Sequence, residues 1–241
     1  MIPKTIHYCW FGGKPLPKLA RKCKASWEKF FPDYEIKEWN ENNFDVNLFP
    51  YAKYCYEHRQ WAYLSDFVRL WVVEREGGLY FDTDVEVIKR PSELLESCRA
   101  YFGWETSEYI NTGLGFAAEP HHPSVQVMLR MYDGLVVDGK YMFDTMRGCP
   151  QLNTKALIPF GLKCDGSRQD VCNALILPIE YMCPFKDATG ELDQTDNTFS
   201  IHWFSKSPHG EIAVWRNKLA RPIRRWFGTK SLRIFMGGIM R

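Results

Sequence analysis

Residues 2–10 form an apolar, strand-like run closed by Phe11-Gly12-Gly13. Over residues 15–31 the apolar positions Leu16, Leu19, Ala20, Cys23, Trp27 and Phe30 recur at helical spacing, and Pro32-Asp33 ends the pattern. Residues 34–39 predict a second strand, and the polar, Asn-rich stretch 40–49 predicts a loop with short helical turns. The clearest helix is predicted over residues 58–76. Its apolar stripe is Trp61, Leu64, Val68, Trp71 and Val72, and Gly77-Gly78 caps it. A short strand over 79–81 follows, and residues 85–88 resume the alternation of a strand. Residues 100–104 and 113–118 predict further strands. His122-Pro123 opens a helix with proline in its first turn and a stripe of Val125, Met128, Leu129, Tyr132 and Leu135. Beyond Gly139 the pattern weakens, leaving strands at 175–179 and 199–203. This alternation predicts an α/β fold with a mostly parallel sheet in its first half.

Composition changes that picture little. The chain has 241 residues, enough for one large domain, and 45% apolar and 25% charged residues are ordinary for a soluble protein. Charge is more informative. Eight of the 31 basic residues fall between Arg216 and Arg241, where there is no acidic residue. The body is therefore net acidic and the tail strongly basic, which predicts a catalytic domain over 1–215 and a basic amphipathic segment over 216–241. No apolar leader opens the chain and no run is long enough to span a membrane. A cytoplasmic location is therefore expected, with the eight cysteines as thiols. Cys164, Cys172 and Cys183 are too irregularly spaced to predict a zinc site and read as small buried hydrophobes.

The chemistry concentrates in Gly77-Gly78-Leu79-Tyr80-Phe81-Asp82-Thr83-Asp84. If Asp82 and Asp84 continue the strand, residues i and i+2 face one point. Two carboxylates held that close repel, so they want a cation, and oxygen ligands suit Mg²⁺ or Mn²⁺. The preceding helix carries Asp66 and Arg69, three apart and so on one face. They are either a solvated ion pair or a hydroxyl and phosphate contact.

Three segments in order, 2–13 (IPKTIHYCWFGG), 61–69 (WAYLSDFVR) and 77–84 (GGLYFDTD), resemble the D-x-D sugar transferases of glycosyltransferase family 32, whose core is similar to that of the large clostridial glucosylating toxins. The resemblance covers residues 1 to about 120. It implies a GT-A type fold, a single Rossmann-like α/β domain that binds a nucleotide-diphospho-sugar and Mn²⁺ or Mg²⁺. It assigns Trp10 to the nucleobase and Asp66 and Arg69 to the donor sugar and diphosphate. Asp82 is assigned to ribose or sugar and to assisting the metal, and Asp84 to the metal itself. Tyr80 falls within the matched motif and joins the donor-binding set. Asn111 either faces the sugar or acceptor or is only a turn residue before Thr112-Gly113. His202, with Trp203 and Ser205 nearby, is the expected third metal contact near the C-terminus.

The function this implies is a retaining transfer of a hexose from UDP-galactose or another UDP-hexose, with GDP-mannose as the alternative donor. The acceptor is a growing surface polysaccharide or polyprenol-linked glycan. Metal and Arg69 would stabilise the leaving diphosphate. A non-catalytic glycan- or lipid-binding protein on the same fold is the reading of another class. A haloacid-dehalogenase-type phosphohydrolase is disfavoured, because Glu86 stands where Thr or Val is wanted. In the tail, Trp215, Leu219, Ile223 and Trp226-Phe227 recur near one helical face between basic residues. This predicts an anchor on anionic lipid at the inner membrane face, with a helix docked on the domain as the alternative and a nucleic-acid contact disfavoured.

Overall fold

The computed structural model describes residues 1–143 and 147–205. The predicted 216–241 segment therefore lies outside the described residues. Seven strands form the central sheet in the order β2-β1-β3-β6-β5-β10-β9. These are β1 (Thr5–Cys9), β2 (Glu35–Trp39), β3 (Gly78–Tyr80), β5 (Ala100–Gly103), β6 (Phe116–Ala118), β9 (Gln169–Val171) and β10 (Ala174–Leu177). β1 is parallel to both β2 and β3, and β10 is parallel to β5; β6 and β9 run against their neighbours. Five strands thus share one direction, and the sheet is mostly parallel as predicted. Three short antiparallel pairs lie outside it. They join β7 (Val136–Val137) to β8 (Lys140–Tyr141), β11 (Phe185–Lys186) to β12 (Glu191–Leu192), and β13 (Ser200–His202) to β4 (Val85–Val87).

The central strands are apolar on both sides because both sheet faces are covered. Alternate residues go to opposite cores. Ile6, Tyr8, Leu79, Tyr101, Leu175 and Leu177 pack with Cys23 and Trp27 of α1 (Lys18–Phe30) and with Phe31 just after it. Cys9, Tyr80, Phe102, Phe116 and Ile176 pack on the opposite face. There they meet α2 (Pro50–Glu57), α3 (Trp61–Glu76), α5 (Pro123–Arg130) and α6 (Cys149–Leu157). A short α4 (Ser92–Ser97) precedes β5.

The turn between α3 and β3 needs both its glycines. Gly77 and Gly78 have φ of +65° and +101°, and a Cβ on Gly78 would lie 2.6 Å from the Thr5 carbonyl oxygen. Buried His7 braces this turn, with Nε2 2.9 Å from the Gly77 carbonyl oxygen and Nδ1 accepting from Trp39 Nε1 at 3.1 Å. The ring is thus held neutral, and burial pulls its pKa below 6.5.

The helices differ from the sequence reading in two ways. The helix predicted from residue 58 begins at Trp61, because His58 ends α2 and Arg59 adopts φ of +54°. α2 and α6 have no predicted counterpart. Both carry proline in the first helical turn; one buries a short stripe of Tyr51, Ala52 and Cys55, and the other buries the polar Asn153 and Thr154 among Cys149, Leu152, Ala156 and Leu157.

Candidate active site

β1 and β3 open side by side at the point where the sheet order departs in two directions. Such switch points form crevices beyond the strands' carboxyl ends. The chain leaves β1 through Trp10, Phe11 and Gly12. It leaves β3 through Phe81 and turns at Asp82, Thr83 and Asp84 before β4. α3 presents Trp61, Ser65, Asp66 and Arg69 to the same crevice, and His202, Phe204 and Ser205 arrive with β13. Together they line a cleft of about 430 Å³.

Asp82 and Asp84 do not continue the strand, contrary to the expected pleat. β3 stops at Tyr80, and the Val85 N–H donates to the Asp82 carbonyl at 3.0 Å, closing a tight turn. The turn still brings the carboxylates together. Donor atoms of Asp82, Asp84 and His202 all lie within 4.8 Å of one another. His202 reaches this point through sheet register: it pairs with Val85 across β13–β4, one residue beyond Asp84. Its Nε2 lies 3.2 Å from Asp84 Oδ1, while the Ser205 N–H donates to Asp84 Oδ2 at 2.7 Å. The Trp203 N–H donates to the Asp84 carbonyl at 3.0 Å. The expected neighbours of His202 are therefore present. Nδ1 of His202 is buried without a partner.

Electrostatics divide the two carboxylates. Burial works to raise Asp84, but the His202 ring and the Ser205 N–H outweigh it and hold the carboxyl below its usual value. Burial likewise works to lower His202, yet Asp84 and Asp82 hold it above 6.5. Burial pushes Asp82 up to about 6 against the pull of Arg69. Arg69, 3% exposed, is the hub of that side. Its Nη2 donates to Asp82 Oδ1 at 2.8 Å and Oδ2 at 3.1 Å, and lies 3.0 Å from Asp66 Oδ1. Its Nε has no partner. The Asp66 and Arg69 pair is therefore buried in the crevice and not solvated on a helix face.

Trp10, Asp66, Arg69, Asp82, Asp84 and His202 all line the cleft. Tyr80 and Asn111 do not. Tyr80 is 1% exposed and reaches the site only through its hydroxyl, which donates to Asp82 Oδ1 at 3.0 Å. Asn111 is the turn residue: its Oδ1 accepts from the Gly113 N–H at 2.6 Å, and its Nδ2 donates to Glu105. It stays close to the acidic side all the same, since a Cβ on Gly113 would meet Asp82, Asn111 and Arg69 oxygen and nitrogen atoms within 3.1 Å.

Trp61 is a cleft residue that reads from the sequence only as core stripe. Cys149, whose backbone N–H donates to Asp66 Oδ2 at 3.2 Å, carries no sequence signal at all. Among the described residues, Cys164, Cys172 and Cys183 do not gather, whereas Asp82, Asp84 and His202 are placed to hold an ion. Two hard oxygen donors with one imidazole suit Mg²⁺ or Mn²⁺.

Residues 17–100 match the family described as glycosyltransferase sugar-binding region containing DXD motif. No curated protein matches the chain. One similar solved structure is a glycosyltransferase involved in the glycosylation of the major capsid of PBCV-1. It has a TM-score of 0.50 and 13% identity, covering 90% of this chain and 99% of that one. The PaToxG glycosyltransferase has a TM-score of 0.48 and 18% identity over 64% of this chain and 67% of its own. The first supports the fold of the whole described body, including the half beyond the family match.

Proposed function

We propose that this chain, a glycosyltransferase whose residues 17–100 match the DXD sugar-binding-region family, moves a hexose, with retention, from a UDP-hexose to a surface-polysaccharide or polyprenol-linked glycan. The observation that carries this reading is the convergence of Asp82, Asp84 and His202 in the cleft that Trp10, Asp66 and Arg69 also line. A nucleotide-diphospho-sugar needs a ring surface for its base, cationic partners for its diphosphate and acceptors for its sugar hydroxyls. The cleft offers all three.

In this reading Trp10 stacks on the base, and Trp61 borders the same part of the cleft. Arg69 faces the diphosphate and Asp66 accepts from sugar hydroxyls. Asp84 and His202 hold the divalent ion, with Asp82 beside them. When bound, the ion supplies Lewis-acid stabilisation of the leaving group. Arg69 adds fixed positive charge in a site of low dielectric, where it acts most strongly. As the anomeric carbon–oxygen bond breaks on the front face, the departing phosphate oxygen takes the acceptor's proton. The transfer needs no protein nucleophile. Tyr80 orients Asp82 from below, and Asn111 shapes the turn beside it.

Galactose is the first sugar to test, and GDP-mannose is the alternative donor. No helix among the described residues is long and apolar enough to cross a membrane. The basic segment 216–241 supplies the attachment to anionic lipid on the cytoplasmic face. Isothermal titration with UDP-galactose, other UDP-hexoses and GDP-mannose, with and without Mn²⁺, tests the donor. Metal-dependent binding is expected, and binding that ignores the metal overturns the reading. Flotation with anionic vesicles tests the tail: equal recovery with and without residues 216–241 removes the anchor.

A further inference from the structure

α6 lies far along the chain from the DXD turn, yet its first residue touches Asp66, Arg69 and Asn111 together. The first N–H groups of a helix have no partner inside it. That of Cys149 donates to Asp66 Oδ2 at 3.2 Å, where the positive end of the helix dipole also favours a carboxylate. The Cys149 side chain, 4% exposed, sits between two further groups. Its S–H donates to Asn111 Oδ1 at 3.1 Å, and its sulfur accepts from Arg69 Nη1 at 3.4 Å. Burial raises the Cys149 pKa well above the ordinary thiol value, so the group is a neutral donor and not a thiolate nucleophile.

The rest of α6 holds the loop in which Asn111 lies. Ile110 N–H donates to Thr154 Oγ1 at 3.0 Å, and Asn153 Nδ2 donates to Thr112 Oγ1 at 2.9 Å. Positions 149 and 153 are four apart on one helix face and 154 follows directly, so one rigid element fixes the whole loop.

We propose that Cys149 is a positioning residue of the transfer reaction, setting Asp66, Arg69 and Asn111 in the geometry in which they meet the donor sugar. The inference rests on the proposed donor reading of this cleft. Neither Asp66 nor Arg69 is fixed by α3 alone. Each is a flexible side chain on one helix face, and Cys149 adds a restraint from a second element. Restraint of this kind acts on the orientation of the sugar and its leaving group, and so on turnover, more than on grip of the nucleotide.

The test uses the full chain with Mn²⁺ and the nucleotide-sugar it binds most tightly. It measures kcat, donor KM and the Kd of the free nucleoside diphosphate. Cys149→Ala removes both side-chain hydrogen bonds and keeps the backbone N–H. It is expected to lower kcat about 10–100-fold while leaving the nucleoside diphosphate Kd within about threefold. Cys149→Ser restores a donor and an acceptor and is expected to recover kcat to within about fivefold of wild type. If the alanine variant does not fold, Cys149→Val fills the space without either hydrogen bond and takes its place. The proposal is overturned by a kcat within about twofold of wild type in the alanine or valine variant. It is also overturned by a serine variant as impaired as alanine, or by nucleotide affinity that falls in step with kcat. A wild type that binds no nucleotide-sugar removes the donor reading and this inference together. A wild type that turns over with an unaffected alanine variant removes this inference alone.

Discussion

The two sides of the cleft hold their carboxylates by different means. Asp82 is clamped by Arg69, a permanent cation that also lies 3.0 Å from Asp66 and is sealed beneath the surface. Asp84 is held by His202 and a backbone N–H, and the positive charge of His202 is a removable proton. One side is wired with a fixed charge. The other keeps its place with a charge that the proposed metal ion would replace. Two aspartates one residue apart thus acquire separate duties, because a local turn presents them to different partners.

The largest expected contrast is between Asp84→Asn and Arg69→Ala. Asp84→Asn should cut turnover by at least ~10³-fold while the thermal transition stays near that of wild type, because its loss strands no permanent buried cation. An active Asp84→Asn variant would contradict the metal role. Arg69→Ala leaves Asp66 and Asp82 buried without their cation and should cost about 3–5 kcal/mol of stability in addition to activity, as read by denaturant unfolding. An Arg69→Ala variant as stable as wild type would erase the distinction between the two sides. Next in size, His202→Ala should raise the Mn²⁺ concentration for half-maximal turnover by roughly 10–100-fold without changing the response to donor at saturating metal. Unchanged metal demand would remove His202 from the ion.

The smallest effect concerns the frame behind both sides. His7 is held neutral, with its pKa lowered by burial, so the unfolded chain takes up a proton near 6.5 that the native fold refuses. Stability should therefore be full above pH 6.5 and fall as the pH drops from there towards the lower native value. His7→Gln should flatten that part of the profile, measured by denaturant unfolding across pH 5–7. A slope that persists in the variant would place its origin elsewhere.

Legibility followed the same division. The Arg69 side was readable through the family resemblance, because Asp66, Arg69 and the DXD turn lie in its matched segments, whereas spacing alone left Asp66 and Arg69 open between a solvated pair and a ligand contact. The sheet and its mostly parallel sense were readable from periodicity and glycine punctuation. The condition that Asp82 and Asp84 continue the strand does not hold, and nothing in Phe81-Asp82-Thr83-Asp84 announces that the Val85 N–H returns to Asp82. His202 stood out only as a histidine within an aromatic strand, and its approach to Asp84 depends on a register no local pattern encodes. Cys149 was invisible. A cysteine beside a proline at the start of a weakly patterned helix carries no mark of what its N–H and thiol will meet.

The β4–β13 pair also ties the end of the described body to its middle. Trp203 and Glu86, joined across that pair by a 2.9 Å hydrogen bond, stand 117 positions apart. Closing so long a loop costs entropy that local contacts do not recover, so pairings of this kind form late in folding. During synthesis the chain displays its aspartates long before residue 202 leaves the ribosome. A chain that has been made as far as residue 84 therefore carries both aspartates while His202 is still missing. The proposed metal trio is thus complete only once the last described strand has paired with β4.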